Sequence, residues 1–118
     1  MPLESRYLFT AAMDVEPSKE ALFNEVYDRE HVPALLAVPG CVAIARFKRE
    51  PVTMWIGGEK KTIVIENEPT YNALYELESA DVLTSPQWAD AVERGRWPSQ
   101  VRPFTKNRKH VMWHRIGG

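Results

Sequence analysis

Residues Arg6 to Asp14, RYLFTAAMD, set the first constraint on the fold. Read with a period of two, Tyr7, Phe9, Ala11 and Met13 lie on one face of a strand, and Leu8, Thr10 and Ala12 lie on the other. Both faces are largely apolar, so a sheet built on this strand has to be covered on both sides. The chain has 118 residues to build it with, the size of one domain. At 44% hydrophobic and 26% charged residues, the composition is that of a globular protein rather than a disordered or fibrous one. Cys41 is the only cysteine, so the core forms without an intrachain disulfide. No apolar run approaches the length of a membrane span. Glu4, Arg6, Asp14 and Glu16 leave no secretory signal among the first 20 residues, and a cytoplasmic address is expected.

The remaining elements follow from periodicity and punctuation. Glu16-Pro17 opens a helix with Pro17 at its first position. Leu22, Phe23, Val26 and Tyr27 form its apolar stripe, and Pro33 ends or kinks it. Cys41 to Glu50 is a second strand, with Ala43, Ala45 and Phe47 on one face and Val42, Ile44 and Arg46 on the other. Val52–Ile56, Gly57-Gly58 and Lys61–Glu66 read as a β-hairpin. Thr70–Glu78 is a further strand. Ser85-Pro86 opens a second helix, its apolar side Trp88, Ala89 and Val92, closed by Gly95 and Pro98. Residues 98–106 are a connector, and Lys109–Ile116 is the closing strand. Without the hairpin the order is βαββαβ, the ferredoxin-like α+β arrangement of one antiparallel sheet with two helices on one face. The second sheet face then needs a cover: a homodimer with two sheets facing each other supplies one, and the hairpin and tail folding over it within one chain are the alternative.

The run Phe23-Asn24-Glu25-Val26-Tyr27-Asp28-Arg29-Glu30-His31-Val32-Pro33, followed by Val38-Pro39-Gly40-Cys41-Val42 and Arg46-Phe47, resembles the EthD-like branch of the dimeric α+β barrel superfamily. The Ala73–Leu77 strand and Ser85 to Trp88 match more loosely. The hairpin at 51–68 departs from the compact members. The resemblance implies a homodimer of ferredoxin-like chains that binds a small hydrophobic or aromatic molecule between sheet and helices. The activities it implies are cofactor-free oxygenation, lactone isomerisation, polyketide cyclisation or haem chemistry. His31 falls on the family's motif histidine and Tyr27 on its motif tyrosine.

Four residues apart on a helix, Tyr27 and His31 share nearly one face. An imidazole can take a proton from an acidic carbon or a phenol, and a tyrosine hydroxyl can hold the resulting oxyanion. A structural histidine near the helix end has the same signature. His110 and His114 share a strand face, but about 13 Å of backbone separates them, too far to grip one ion together. With no HExxH and no Cys/His cluster, no metal site is expected. One axial histidine is enough to hold a haem, but no residue marks which histidine that would be, and no cofactor is expected. Trp88, Trp97, Trp113, Tyr75 and Phe47 either line an aromatic pocket or build the core. Arg46 and Arg96 are placed to grip a carboxylate or phenolate, or to make surface ion pairs. Cys41, after Gly40, reads as a small buried residue rather than a nucleophile.

Charge is uneven. Residues 94–118 carry seven Lys/Arg and no acid, against a net charge of −8 before them. Such a tail can serve nucleic acid, self-association, an acidic face of the same fold, or an anionic ligand. Basic and apolar residues alternate in it and no nucleic-acid motif is present, so nucleic acid is not the expected partner. The leading functional expectation is a cofactor-independent enzyme in which His31 abstracts a proton. A ligand-binding or stress-response protein of the same fold is the alternative.

Overall fold

The apolar strand runs through the middle of the sheet. The computed structural model describes residues 3–117. In it β1 (Tyr7–Val15) pairs antiparallel with β5 (Tyr71–Leu77) on one side and β6 (Thr105–His114) on the other. β2 (Cys41–Lys48) adds to β5, giving the order β2-β5-β1-β6. This is the βαββαβ sheet that the sequence predicts. The alternation in β5 shows the two faces plainly. Tyr71, Ala73, Tyr75 and Leu77 are buried under the helices, while Asn72, Leu74 and Glu76 are only half-covered on the other side. The core on the helix side is built around Tyr75, Phe23, Leu35, Leu77, Val26 and Val101.

The hairpin forms, with its second strand displaced from the predicted Lys61–Glu66. β3 (Val52–Ile56) pairs with β4 (Glu59–Ile63), with Ile56 directly opposite Glu59. Gly57 and Gly58 both have positive φ, 60° and 83°, so two residues suffice for the turn and β4 starts at once. Among the described residues the hairpin pairs with no other strand.

The first helix is not one regular rod. A 3₁₀ turn at Pro17–Lys19 leads into α1 (Glu20–Val26), a wide π turn (Tyr27–His31) and α2 (Val32–Leu36). Helical backbone thus continues past Pro33. The wide turn is the reason: proline cannot donate to the carbonyl one α-turn back, and its ring crowds that carbonyl, so a local i→i+5 turn just before it relieves both. α3 (Pro86–Ala91) begins where predicted, with the Ser85 hydroxyl accepting from the Trp88 N–H at 3.1 Å. Its inner side is Trp88, Ala91 and Val92, while Ala89 is exposed, because the short helix meets the sheet along one i, i+3, i+4 row. The predicted connector is largely helical: a π turn at Trp97–Val101 and a 3₁₀ turn at Arg102–Phe104. β6 therefore starts at Thr105 rather than Lys109. Asn107, at φ 53°, bulges within it, and the register with β1 shifts between Ala12 and Asp14.

The basic tail folds back on the chain's own acids. Arg94 pairs with Asp90, Arg96 with Glu25 and Glu30, Arg102 with Glu93, and Lys109 with Glu68. No helix among the described residues is long and apolar enough to cross a membrane.

Candidate functional site

The two π turns meet over β1 and β5, and they carry the aromatic groups of the site. Trp97 lies flat on His31, with ring centroids 4.1 Å apart and planes inclined by 18°. Tyr27 stands edge-on to both, 5.0 Å from each. The second π turn is pinned to the first by Glu30, whose carboxylate accepts from the Arg96 backbone N–H at 2.9 Å and from Arg96 Nε at 2.6 Å. Gly95 makes this approach possible. Its φ is +68°, and a Cβ there would collide with the Glu30 carboxylate.

Beneath these rings lies a cleft of about 190 Å³. Phe9, Ala11, Met13 and Tyr75 form its floor, Tyr27, His31 and Leu35 its roof, and Trp88, Val92 and Trp97 its inner wall. Arg102, Arg108 and His110 stand at its mouth. The Tyr27 and Tyr75 hydroxyls are 2.8 Å apart. One bond between two hydroxyls consumes one proton, so the pair keeps one O–H free to donate. Burial raises the pKa of both above the ordinary tyrosine value, and for Tyr75 the neighbouring Tyr27 adds to the effect. Both therefore act as neutral hydroxyls.

His31 is 6% exposed, and its Nδ1 is buried without a hydrogen-bond partner. Burial depresses its pKa to about 4, and the guanidinium charges of Arg102 and Arg46 push in the same direction. At neutral pH the imidazole is uncharged. With Nδ1 sealed off, Nε2 is the nitrogen a ligand can meet. No carboxylate orients this ring; the Trp97 stack does. His110 lies on Phe9, with centroids 5.9 Å apart and planes 6° from parallel. Burial, and then Arg108, lower its pKa.

Of the residues singled out in the sequence, Tyr27, His31, Tyr75, Trp88, Trp97 and His110 come together here. Arg46, Phe47, Trp113 and His114 do not. Arg46 sits behind the site, 4.4 Å from the Tyr27 ring, with its guanidinium donating to Asp28 at 2.7 Å and Asn24 at 2.8 Å. Phe47 and Trp113 face the opposite side of the sheet, where each is more than half exposed. Strand parity accounts for this: Phe47 pairs with Asn72 and Trp113 with Leu8, both on the uncovered face. His114 shares His110's face but is carried to Tyr7 at the far end of the strand. Arg96 is occupied by Glu25 and Glu30 rather than open to a ligand. Cys41 is buried and its thiol is pushed up to about 11, so it is no nucleophile. Sequence reasoning misses Phe9, Arg102 and Arg108. The spacing of Arg108 and His110, two apart on one strand, was the available signal.

No family profile matches the chain, and no curated protein does. Solved structures match over nearly its whole length. One is an antibiotic biosynthesis monooxygenase-like protein of Bordetella bronchiseptica, with a TM-score of 0.63 and 15% identity over 96% of this chain and 99% of that one. The fold is the ferredoxin-like α+β fold that these structures share. An EthD family protein of Bacillus halodurans matches with a TM-score of 0.56 and 11% identity, over 93% and 99% of the two chains. A heme-degrading protein of Mycobacterium tuberculosis, with two hemes bound in its active site, matches with a TM-score of 0.59 and 11% identity, over 95% and 97%. At these identities the likeness concerns the fold alone.

Proposed function

We propose that the cleft is the active site of a small cofactor-independent enzyme acting on an aromatic, polyketide-like or lactone compound. His31 takes a proton from a phenol or an activated carbon, and the electron pair left behind moves onto a substrate oxygen. The free O–H of the Tyr27–Tyr75 pair donates to that oxygen. Isomerisation, cyclisation, and addition of dioxygen to the resulting carbanion share this first step. The observation that carries the reading is the joint placement of an uncharged imidazole and a spare tyrosine donor around one aromatic-walled hollow. Likeness of fold to monooxygenase-type proteins supports it.

An imidazole with a pKa of about 4 is a weak base, and each unit below neutrality costs about 1.4 kcal/mol of driving force. The substrate proton is therefore acidic, or the substrate strengthens the base. Replacing His31 with alanine is expected to lower kcat/KM on the order of a hundredfold or more. A folded variant with full turnover ends the mechanism. One observation favours a second reading, a ligand-binding protein without chemistry: His31 has no hydrogen-bonded orienter. A bound ligand with no polar atom near His31 or Tyr27 would favour it.

Haem does not suit the cleft. Its volume, about 190 Å³, lies below the ~300–1,000 Å³ of pockets for drug-sized ligands.

The proposed assembly is a homodimer. The uncovered sheet face presents Leu8, Val111, Trp113 and Phe47, and a second copy of the same face would bury them.

A further inference from the structure

The cleft is apolar along its floor and cationic at its mouth, and its two arginines differ. The Arg102 guanidinium is engaged by the Glu93 carboxylate at 2.9 and 3.1 Å, and it also donates to the Val92 carbonyl at 2.8 Å. Arg108 has no carboxylate within ion-pair distance among the described residues. It is nonetheless held. Its Nε donates to Thr105 Oγ1 at 2.8 Å, and one terminal nitrogen donates to the Arg102 carbonyl at 2.8 Å. A guanidinium has five N–H donors, and these bonds use two. Arg108 stands two residues before His110 on the same side of the bulge at Asn107, so strand alternation puts both on one face of β6. His110 and Phe9, their ring planes nearly parallel, line the same cleft as Arg108.

An oriented, unpaired guanidinium next to a ring platform is the complement of a planar oxyanion on an aromatic ring. The inner cleft points to the same class. It holds the uncharged His31 imidazole, open to a ligand at Nε2 and under the field of the Arg102 and Arg46 guanidinium groups, and a bound negative charge would offset that field and make His31 a better base. Resting on the reading of this cleft as the ligand site, we propose that Arg108 anchors an anionic group, so that the preferred ligand is a small aromatic carboxylate or phenolate rather than its neutral counterpart. Arg108 is thus a specificity-determining residue.

The test is calorimetric titration with cinnamate, its neutral isostere cinnamamide, and pentafluorophenolate. Wild-type protein is expected to bind at least one of the two anions tenfold or more tighter than cinnamamide. Which anion wins distinguishes a carboxylate from a phenolate subsite. Arg108→Gln is expected to bring the preferred anion down to the affinity of cinnamamide and to leave cinnamamide binding unchanged, which also reports that the variant is folded. Arg108→Lys keeps part of the preference. Equal affinities in the wild type, an anion preference that survives Arg108→Gln, or no binding of any probe overturns the proposal. Loss of the preference in Arg108→Gln together with full turnover in His31→Ala would retain the anion site and end the catalytic mechanism alone.

Discussion

His31 is positioned by stacking on Trp97 and by burial, and its Nδ1 meets no acceptor or donor. This has two consequences for pH. The pKa falls from 6.5 in an unfolded chain to about 4 in the folded one. Between those values the unfolded state binds more protons, so stability falls as pH is lowered from about 6.5 to about 4, and this residue contributes no slope above or below that window. The full loss is about 3 kcal/mol. Urea unfolding across this window is expected to show that slope in the wild type. The loss across it should be smaller by about 3 kcal/mol in His31→Phe, which keeps a ring against Trp97 and leaves the contribution of His110. Equal slopes would refute the burial account. In activity, the acid limb of kcat/KM is expected near pH 4, where free His31 gains its proton, and not near the ordinary histidine value. The same residue shows how far the sequence was legible. The spacing of Tyr27 and His31 and the proline behind them mark a site. The partner that sets the ring's orientation, Trp97, lies 66 residues away in sequence, and no local pattern links the two.

The elements that build the site are the irregular ones. A regular α-helix through Tyr27–His31 is what propensity suggests, and Pro33 turns it into a π turn. The second π turn, Trp97–Val101, has its own proline at its second position. The two are joined through Glu30, the Arg96 main chain and the Gly95 turn. Gly95→Ala is expected to destabilise the protein by about 1–2 kcal/mol, because an alanine pays for positive φ and its Cβ presses on the Glu30 carboxylate. Its near-UV circular dichroism should change as Trp97 leaves His31. An unchanged melting temperature would show that the junction carries no strain. Glycine and proline were visible as punctuation, but that they hold two distant turns together was not, since the contact is long-range and made by an ordinary glutamate.

Over the whole molecule, the radius of gyration is 16.0 Å, against about 13–14 Å for a compact domain of this length. The projecting β3–β4 hairpin accounts for the excess. Trp55 on it is 69% exposed, and a lone two-stranded ribbon is marginal in water. Together with the open sheet face, it leaves the single chain with unusual apolar exposure. Sedimentation of the wild type is expected to give a dimer, and a Phe47→Glu/Trp113→Glu double variant a monomer at the same concentration. A wild type that sediments as a monomer at every concentration would exclude the proposed assembly.

Alternation of apolar residues already specified a sheet with two greasy faces, and the glycines and prolines divided the chain into βαββαβ plus a hairpin. Those properties are local, because strand parity and turn chemistry depend on near neighbours. Which aromatic residues would share a cavity depended on register and on the bulge at Asn107, and both are settled only when strands pair. Arg46 and Arg96 were equally readable as ligand-gripping residues or as members of ion pairs, and folding brought acids to both; Arg108 was left without one among the described residues. The charges were in the sequence from the start, but their pairing is a matter of distance in space.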